Sequence, residues 1–357
     1  MSLPVCMKLL FRQGAVPALA GLLFGAAFCA MAADPADRVP VRRAFSDWDA
    51  EGRVTAREVA MGTVFTVRAY PGDGMKREET EAACLEALAC AVYWEEVMSA
   101  MDAESRLAEL NAAESGVSVP LSPELMRPLL LSLEYARLTD GAFDPTLGPC
   151  IRLWKKSVRR GFLPSPEELA CARSASGWKK LFVGEKAAVK TVKGMRLDLG
   201  GIGKGFAVDR MAEVLRGKGV LSFCIDSTSD VLAGEPPPHG KGWLLKVDTG
   251  NGAYRMLSLA RTAVSTSGNA RQMVKIGGVE YSHVLDPRTG LGVTEGRQVS
   301  VQAPSAALAD ALATAGCVMN EENFRSLAAR LPGVSIAAFF RDLPGSAEKD
   351  GGRRATP

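Results

Sequence analysis

At 357 residues and 47% hydrophobic content, the chain can bury a substantial core, as one large domain or two modest ones. The 43 basic side chains stand against 40 acidic ones for a net charge of +3, so no strong field points to nucleic acid or to a charged membrane surface as partner. Eight cysteines without a C-x-x-C pair, and only two histidines, His239 and His283, argue against a zinc site.

Residues 1–33 read as a secretory signal: Lys8 and Arg12 precede an apolar run from Ala15 to Ala27, and Ala30-Met31-Ala32 offers a cleavage motif. The run is short and Ala/Gly-rich for a membrane span, though an uncleaved leader would tether the chain to a membrane. Cys29 comes close to a lipoprotein box, with Phe28 before it a poor fit. The leader predicts an exported protein, periplasmic or held at the outer face of the inner membrane. The six cysteines beyond it follow no framework and read as small core residues, or as one disulfide that the sequence cannot pair.

Residues 34–55 show no hydrophobic period and read as a linker, 56–340 as the folded unit, and the charged, Gly-rich 341–357 as a disordered tail. Within the unit, Val59, Met61, Thr63, Phe65 and Val67 alternate as in one half-buried strand. A helix is predicted from Lys76 to Met98, a restart near Ser105, and a helix opening at Ser122 with Pro123 at its first position and running to Thr139. Gly141 to Gly148, GAFDPTLG, is a turn, and Lys155 to Arg160 a solvated basic face. Ser165 and Glu168 form a capping box. Strands are expected at Leu181–Val183, Ala188–Val192, Val220–Ile225, Trp243–Val247, Arg255–Leu259, Met273–Ile276, Gln298–Val301 and Val334–Phe340, with a helix from Ser305 to Met319. Asp226 to Asp230, Val264 to Asn269 and Tyr281 to Gly290 are polar and read as loops, the last two as places where a sheet would present a site. The alternation of helices with a strand-rich second half gives an α+β class.

Three stretches could carry chemistry. Arg196 to Asp209, RLDLGGIGKGFAVD, reads as strand, glycine turn and helix start around Lys204, either tight packing or a seat for phosphate oxygens beside a cation. Its spacing fits neither the dinucleotide fingerprint nor the P-loop. On the Ser305 helix, Asp310 and Thr314 lie four apart on an otherwise Ala/Leu-rich stripe, where a buried acid demands a partner. It caps a neighbouring loop, or its hard oxygens, with a glycine-turn carbonyl, hold magnesium. His283 shares a polar turn with Asp286 and Arg288, as a structural residue or a base.

Seven blocks in order, MGTVFTV at Met61, MS-x-x-x-x-x-S-x-x-x-x-LN from Met98, GAFDPTLGP at Gly141, DLGGIGKGFAVD at Asp198, STSG at Ser265, YSHVLDPRTG at Tyr281 and APSAALADALATA at Ala303, resemble the ApbE family of FAD:protein FMN transferases. The resemblance implies helices mixed with largely antiparallel strands and an FAD cleft between two lobes. It implies an exported enzyme that takes FAD as substrate with Mg2+ as cofactor and leaves FMN on a Thr or Ser hydroxyl of an acceptor protein, releasing AMP. By position it assigns Met61, Ala142, Phe143, Asp144, Asp198, Lys204 and Val284 to the FAD site. The Gly201 carbonyl, Asp310 and Thr314 would hold the metal, and His283 would be the base. An exported FAD binder with little activity, or a hydrolase giving FMN and AMP, are the alternatives. Two departures stand out: Asp226-Ser227-Thr228-Ser229-Asp230 where the family has Asn-Ile-Gly-Gly-Asp, and Met101 where an aromatic is common.

Overall fold

Eight strands lie side by side in the order in which the chain makes them. They are β1 (Phe45–Trp48), β2 (Val54–Ala60), β3 (Thr63–Ala69), β4 (Phe223–Asp226), β5 (Asp230–Ala233), β6 (Thr262–Gly268), β7 (Gly296–Ala303) and β8 (Ser335–Asp342). Every neighbouring pair is antiparallel, so the connections need no crossover beneath the sheet. The computed structural model describes residues 45–249, 253–268 and 273–342. The leader expected over 1–33, and all but the first two residues of the expected tail, lie outside the described residues.

The excursion between β3 and β4 carries α1 (Arg77–Met98), α2 (Arg106–Ala112), α3 (Pro123–Leu138), α4 (Gly148–Arg160), α5 (Pro166–Ser174) and α6 (Gly203–Gly217), with a three-stranded sheet of 118–120, 187–190 and 181–183. Between β7 and β8 come α7 (Ala306–Val318) and α8 (Glu321–Arg330). Ala83, Ala87, Leu88, Ala91 and Trp94 place a buried stripe on α1, which packs on β2 and on α6. Trp94 meets Phe206 of α6 edge to face at 4.8 Å. In turn α6 packs on α7, and α7 lies on β6 and β7. One core runs from the sheet through α1 and α6 to Leu110, Leu125, Leu129 and Ala188, so the two expected lobes share their interior.

Several expectations are corrected. The single strand through Met61 is two strands: Ala60 pairs with Thr63 across a two-residue turn, with Met61 and Gly62 at φ of 51° and 71°. Both lie in the left-handed region that such hairpins require. Residues 45–55 of the expected linker 34–55 hold β1 and the start of β2, whose pairing from Phe45↔Arg57 to Trp48↔Val54 builds the sheet edge, and 34–44 lie outside the described residues. Helix α4 replaces the bare basic face and carries it, burying Cys150 and Trp154 on its other side; neither α4 nor α8 was among the expected elements. Of the expected loop 264–269, Val264 to Gly268 lie within β6, between β5 and β7, and Asn269 lies outside the described residues. Leu197 to Leu199 join no ladder, and only a bridge from Leu147 to Arg196 runs beside them. Strand β8 extends two residues into the expected tail.

At the joint between α6 and α7 backbone meets backbone. A Cβ on Gly205 would lie 2.7 Å from the Ala306 carbonyl carbon and 2.9 Å from the Ala307 nitrogen, both backbone. One turn along α6, the Asp209 carboxylate accepts the Ala306 and Ala307 amides at 2.8 and 2.9 Å, and Ser305 Oγ accepts the Leu308 amide. Three of the open amides at the start of α7 are thereby satisfied. Gly205→Ala should therefore destabilise the fold by about 1–3 kcal/mol, through a clash with backbone that no rotamer relieves. Chemical denaturation measures it, and a variant as stable as the parent would mean that the helices can part without cost.

Candidate functional site

The glycine turn is held without a ladder. Asn111, the last residue of the MS…LN block, donates from Nδ2 to the Leu197 carbonyl at 2.9 Å and accepts the Leu197 amide at 2.6 Å, serving a buried extended segment as a strand would. On the other side the Asp198 amide donates to the Pro145 carbonyl at 2.8 Å, and the Gly148 amide to the Arg196 carbonyl at 3.2 Å. These bonds lay the turn of 141–148 against the glycine turn. A Cβ on Gly201 would sit 3.1 Å from the Phe143 ring and 3.4 Å from the Thr314 methyl, so Gly201, Phe143 and Thr314 meet. Asp310 stands one turn along α7 from Thr314, on the same face.

At the start of α6, Lys204 faces two carboxylates. Its Nζ lies 3.5 Å from Asp230 Oδ2 and 3.8 Å from Asp310 Oδ2, while the Gly205 amide donates to Asp310 Oδ2 at 3.2 Å. Both acids are buried, and the Lys204 side chain is half-buried beside them. Burial works against the lysine charge; Asp230 and then Asp310 outweigh it and raise its pKa above the ordinary value. Asp310 is pushed up to about 7, by burial first and by the Asp230 charge second, against the opposing pull of Lys204. Among the described residues no three His, Cys, Asp or Glu side chains gather to hold a metal. A cation here would rest on one carboxylate, one hydroxyl and one carbonyl. That hard, sparsely charged set fits an ion that keeps waters and shares phosphate oxygens.

The other expected residues lie around this cluster in different ways. Thr314 Oγ1 is 3.1 Å from Ser267 Oγ of β6. His283 is exposed at the surface, yet the protein around it strips away enough water, with the Lys204 charge adding to the effect, to hold its pKa below 6.5. The imidazole is thus neutral near pH 7 and able to accept a proton. Val284 is buried among Val299, Leu312 and Ala313, which ties the His283 turn to α7 and β7. Met61 stands at the β2–β3 turn in a left-handed conformation that costs a non-glycine residue about 1–2 kcal/mol. Such strain gathers at functional sites. Asp198 is half-buried and accepts only the Gly200 amide, at 2.8 Å, among the bonds described. Asp144 is already engaged: it accepts the amide and hydroxyl of Thr146 at 2.8 and 2.6 Å and the Trp178 amide at 3.1 Å. That makes it the clamp of the 141–148 turn. Ala142 packs between the two main clusters.

The polar loop of 226–230 is the hairpin turn between β4 and β5, and Asp230 begins β5. Its carboxylate accepts Ser227 Oγ at 2.9 Å and Ser229 Oγ at 2.7 Å on Oδ2, and Ser265 Oγ at 2.5 Å on Oδ1. Ser229, at one of the two glycine positions, and Ser227, where the family has Ile, therefore turn inward onto an acid. Thr228, at φ 74°, is exposed beside the hydroxyl of Thr63, 3.0 Å away. Met101 is 63% exposed and packs on nothing in the core.

A family model described as the ApbE family matches residues 61–339. Over 313 residues the chain is 30% identical to an FAD:protein FMN transferase of Treponema pallidum (strain Nichols), covering 80% of this chain and 84% of that one. Over 276 residues it is 27% identical to an FAD:protein FMN transferase of Vibrio cholerae, covering 75% and 82%. The flavinyl transferase ApbE of Pseudomonas stutzeri, in its apo form, superposes with a TM-score of 0.69 at 26% identity, covering 81% of this chain and 90% of that one. An ApbE protein of Thermotoga maritima gives 0.68 at 27%, covering 81% and 96%.

The His283 environment can be tested directly. With only two histidines, ring NMR on a His239→Gln background follows His283 alone, and it should titrate below 6.5. Lys204→Met should move that midpoint upward without restoring the ordinary value, because desolvation is the larger cause. A midpoint indifferent to Lys204 would separate the two groups.

Proposed function

Because the chain belongs to the ApbE family, we propose that it is an FAD:protein FMN transferase, moving FMN from FAD to a Thr or Ser hydroxyl of an acceptor protein with Mg2+ as cofactor and AMP as the other product. The acceptor oxygen forms a bond to the FMN-side phosphorus, the bridging bond to AMP breaks, and the hydroxyl proton passes to His283. A hydroxyl is a weak nucleophile, and a neutral imidazole at the mouth of the cleft is suited to take its proton. Lys204, kept charged by its two carboxylates, offers a point charge to the diphosphate, and the amides at the start of α6 add their dipole. Asp310, Thr314 and the Gly201 carbonyl would hold Mg2+, which when bound neutralises charge on the phosphates. The observation that carries this reading is the meeting of Gly201 with Thr314, and of Lys204 and the Gly205 amide with Asp310, from segments about a hundred residues apart. The leader-like residues 1–33 support a place of action outside the cytoplasmic membrane.

Incubation with FAD, Mg2+ and candidate acceptor proteins, followed by denaturing gels read for flavin fluorescence, tests the transfer. AMP released without acceptor would favour hydrolysis, and FAD bound but unchanged would favour a carrier. His283→Ala should slow transfer about 10²–10⁴-fold while leaving FAD affinity within a few-fold; equal loss of both would make it a structural residue. Asp310→Ala should lower Mg2+-dependent transfer about 10²–10³-fold, and an unaltered dependence on Mg2+ would remove Asp310 from the metal set.

A further inference from the structure

Asp230 lies outside the residues that the family resemblance assigns, yet its carboxylate accepts three side-chain hydroxyls. Three serine hydroxyls, from both sides of its own turn and from the adjacent strand β6, fix both carboxylate oxygens, and the group is buried. Asp310 by contrast accepts a single described amide. Lys204 stands between them at 3.5 and 3.8 Å, farther from each than the 2.7–2.9 Å of a committed ammonium–carboxylate bond, and so belongs wholly to neither. Two carboxyl groups thus share one ammonium. A cation seated on Asp310 would repel the ammonium, and a buried charge without a partner is strongly disfavoured. The ammonium needs a second anion that does not move.

Resting on the metal reading above, we propose that Asp230 is a positioning residue: it is the standing counter-anion of Lys204, and by retaining the ammonium it leaves the Asp310 carboxylate free to take the cation. Without Asp230 the lysine has only Asp310 to pair with and becomes an internal competitor of the metal. The serine cradle serves this role because it fixes both carboxylate oxygens while shielding them from other partners.

Mn2+ titration of the full chain by electron paramagnetic resonance, without FAD or acceptor, tests the competition. Asp230→Asn should weaken Mn2+ binding on the order of tenfold or more, the loss expected when a buried pairing charge is removed. Lys204→Met in the same chain should restore most of that loss, since the competitor is gone; a merely structural role for Asp230 would not be rescued by removing a lysine. Should Asp230→Asn melt early, Asp230→Ser, whose small hydroxyl can join the serine cluster, carries the same comparison. Unchanged Mn2+ affinity in the Asp230 variants, or a weakening that Lys204→Met leaves in place, would overturn the proposal. A parent protein that bound no Mn2+ would overturn the metal reading itself and this inference with it.

Discussion

The site depends on one close contact, the approach of α6 to the first turn of α7. No side chain fits at Gly205, and Asp209 one turn later holds the amides of Ala306 and Ala307. The seam sets two helices in register, so that Lys204 at the head of one faces Asp310 in the middle of the other. Both helices are anchored elsewhere, α6 by α1 and α7 by β6 and β7. A shift of either by part of a turn would separate the charges.

That seam allows an acid to live inside an apolar helix. Asp310 is the sole charged side chain of α7, whose other buried positions are Ala, Leu, Gly, Cys and Val. Its charge is tolerated because a lysine and an amide arrive from α6, and burial still lifts its pKa to about 7. Strand β6 supplies the remaining polar groups: Ser265 and Ser267, two apart and therefore on one face, reach Asp230 and Thr314. Polar residues in a central strand are here the complement of buried acids, which is why a stretch that looked like loop is sheet.

The β2–β3 and β4–β5 turns meet beside this cluster, where Thr63 bonds to the Ser227 carbonyl and approaches the Thr228 hydroxyl. Met61 and Thr228 both hold left-handed backbone at these tips. Ser229, at one of the two glycine positions of the second turn, gives its hydroxyl to Asp230, while Thr228 at the other is exposed.

The sequence by itself determined the capped and periodic elements and, through seven ordered motifs, the family. Local signals such as Ser122-Pro123, the Ser165–Glu168 box and the i,i+4 pair of Asp310 and Thr314 survive in the fold because their physics is contained within one turn of chain. It also marked Gly201, Lys204 and Asp310 as belonging together, by resemblance and not by any spacing along the chain. Tertiary structure alone decided that Met61 turns a hairpin, that 264–268 is a central strand, and that Asn111 does the work of a missing ladder. It alone paired Asp230 with Lys204. Each of these depends on a partner 26 to 165 residues away or on how a neighbouring strand bends, and a carboxylate reads the same in sequence whether it meets water or three hydroxyls and an ammonium.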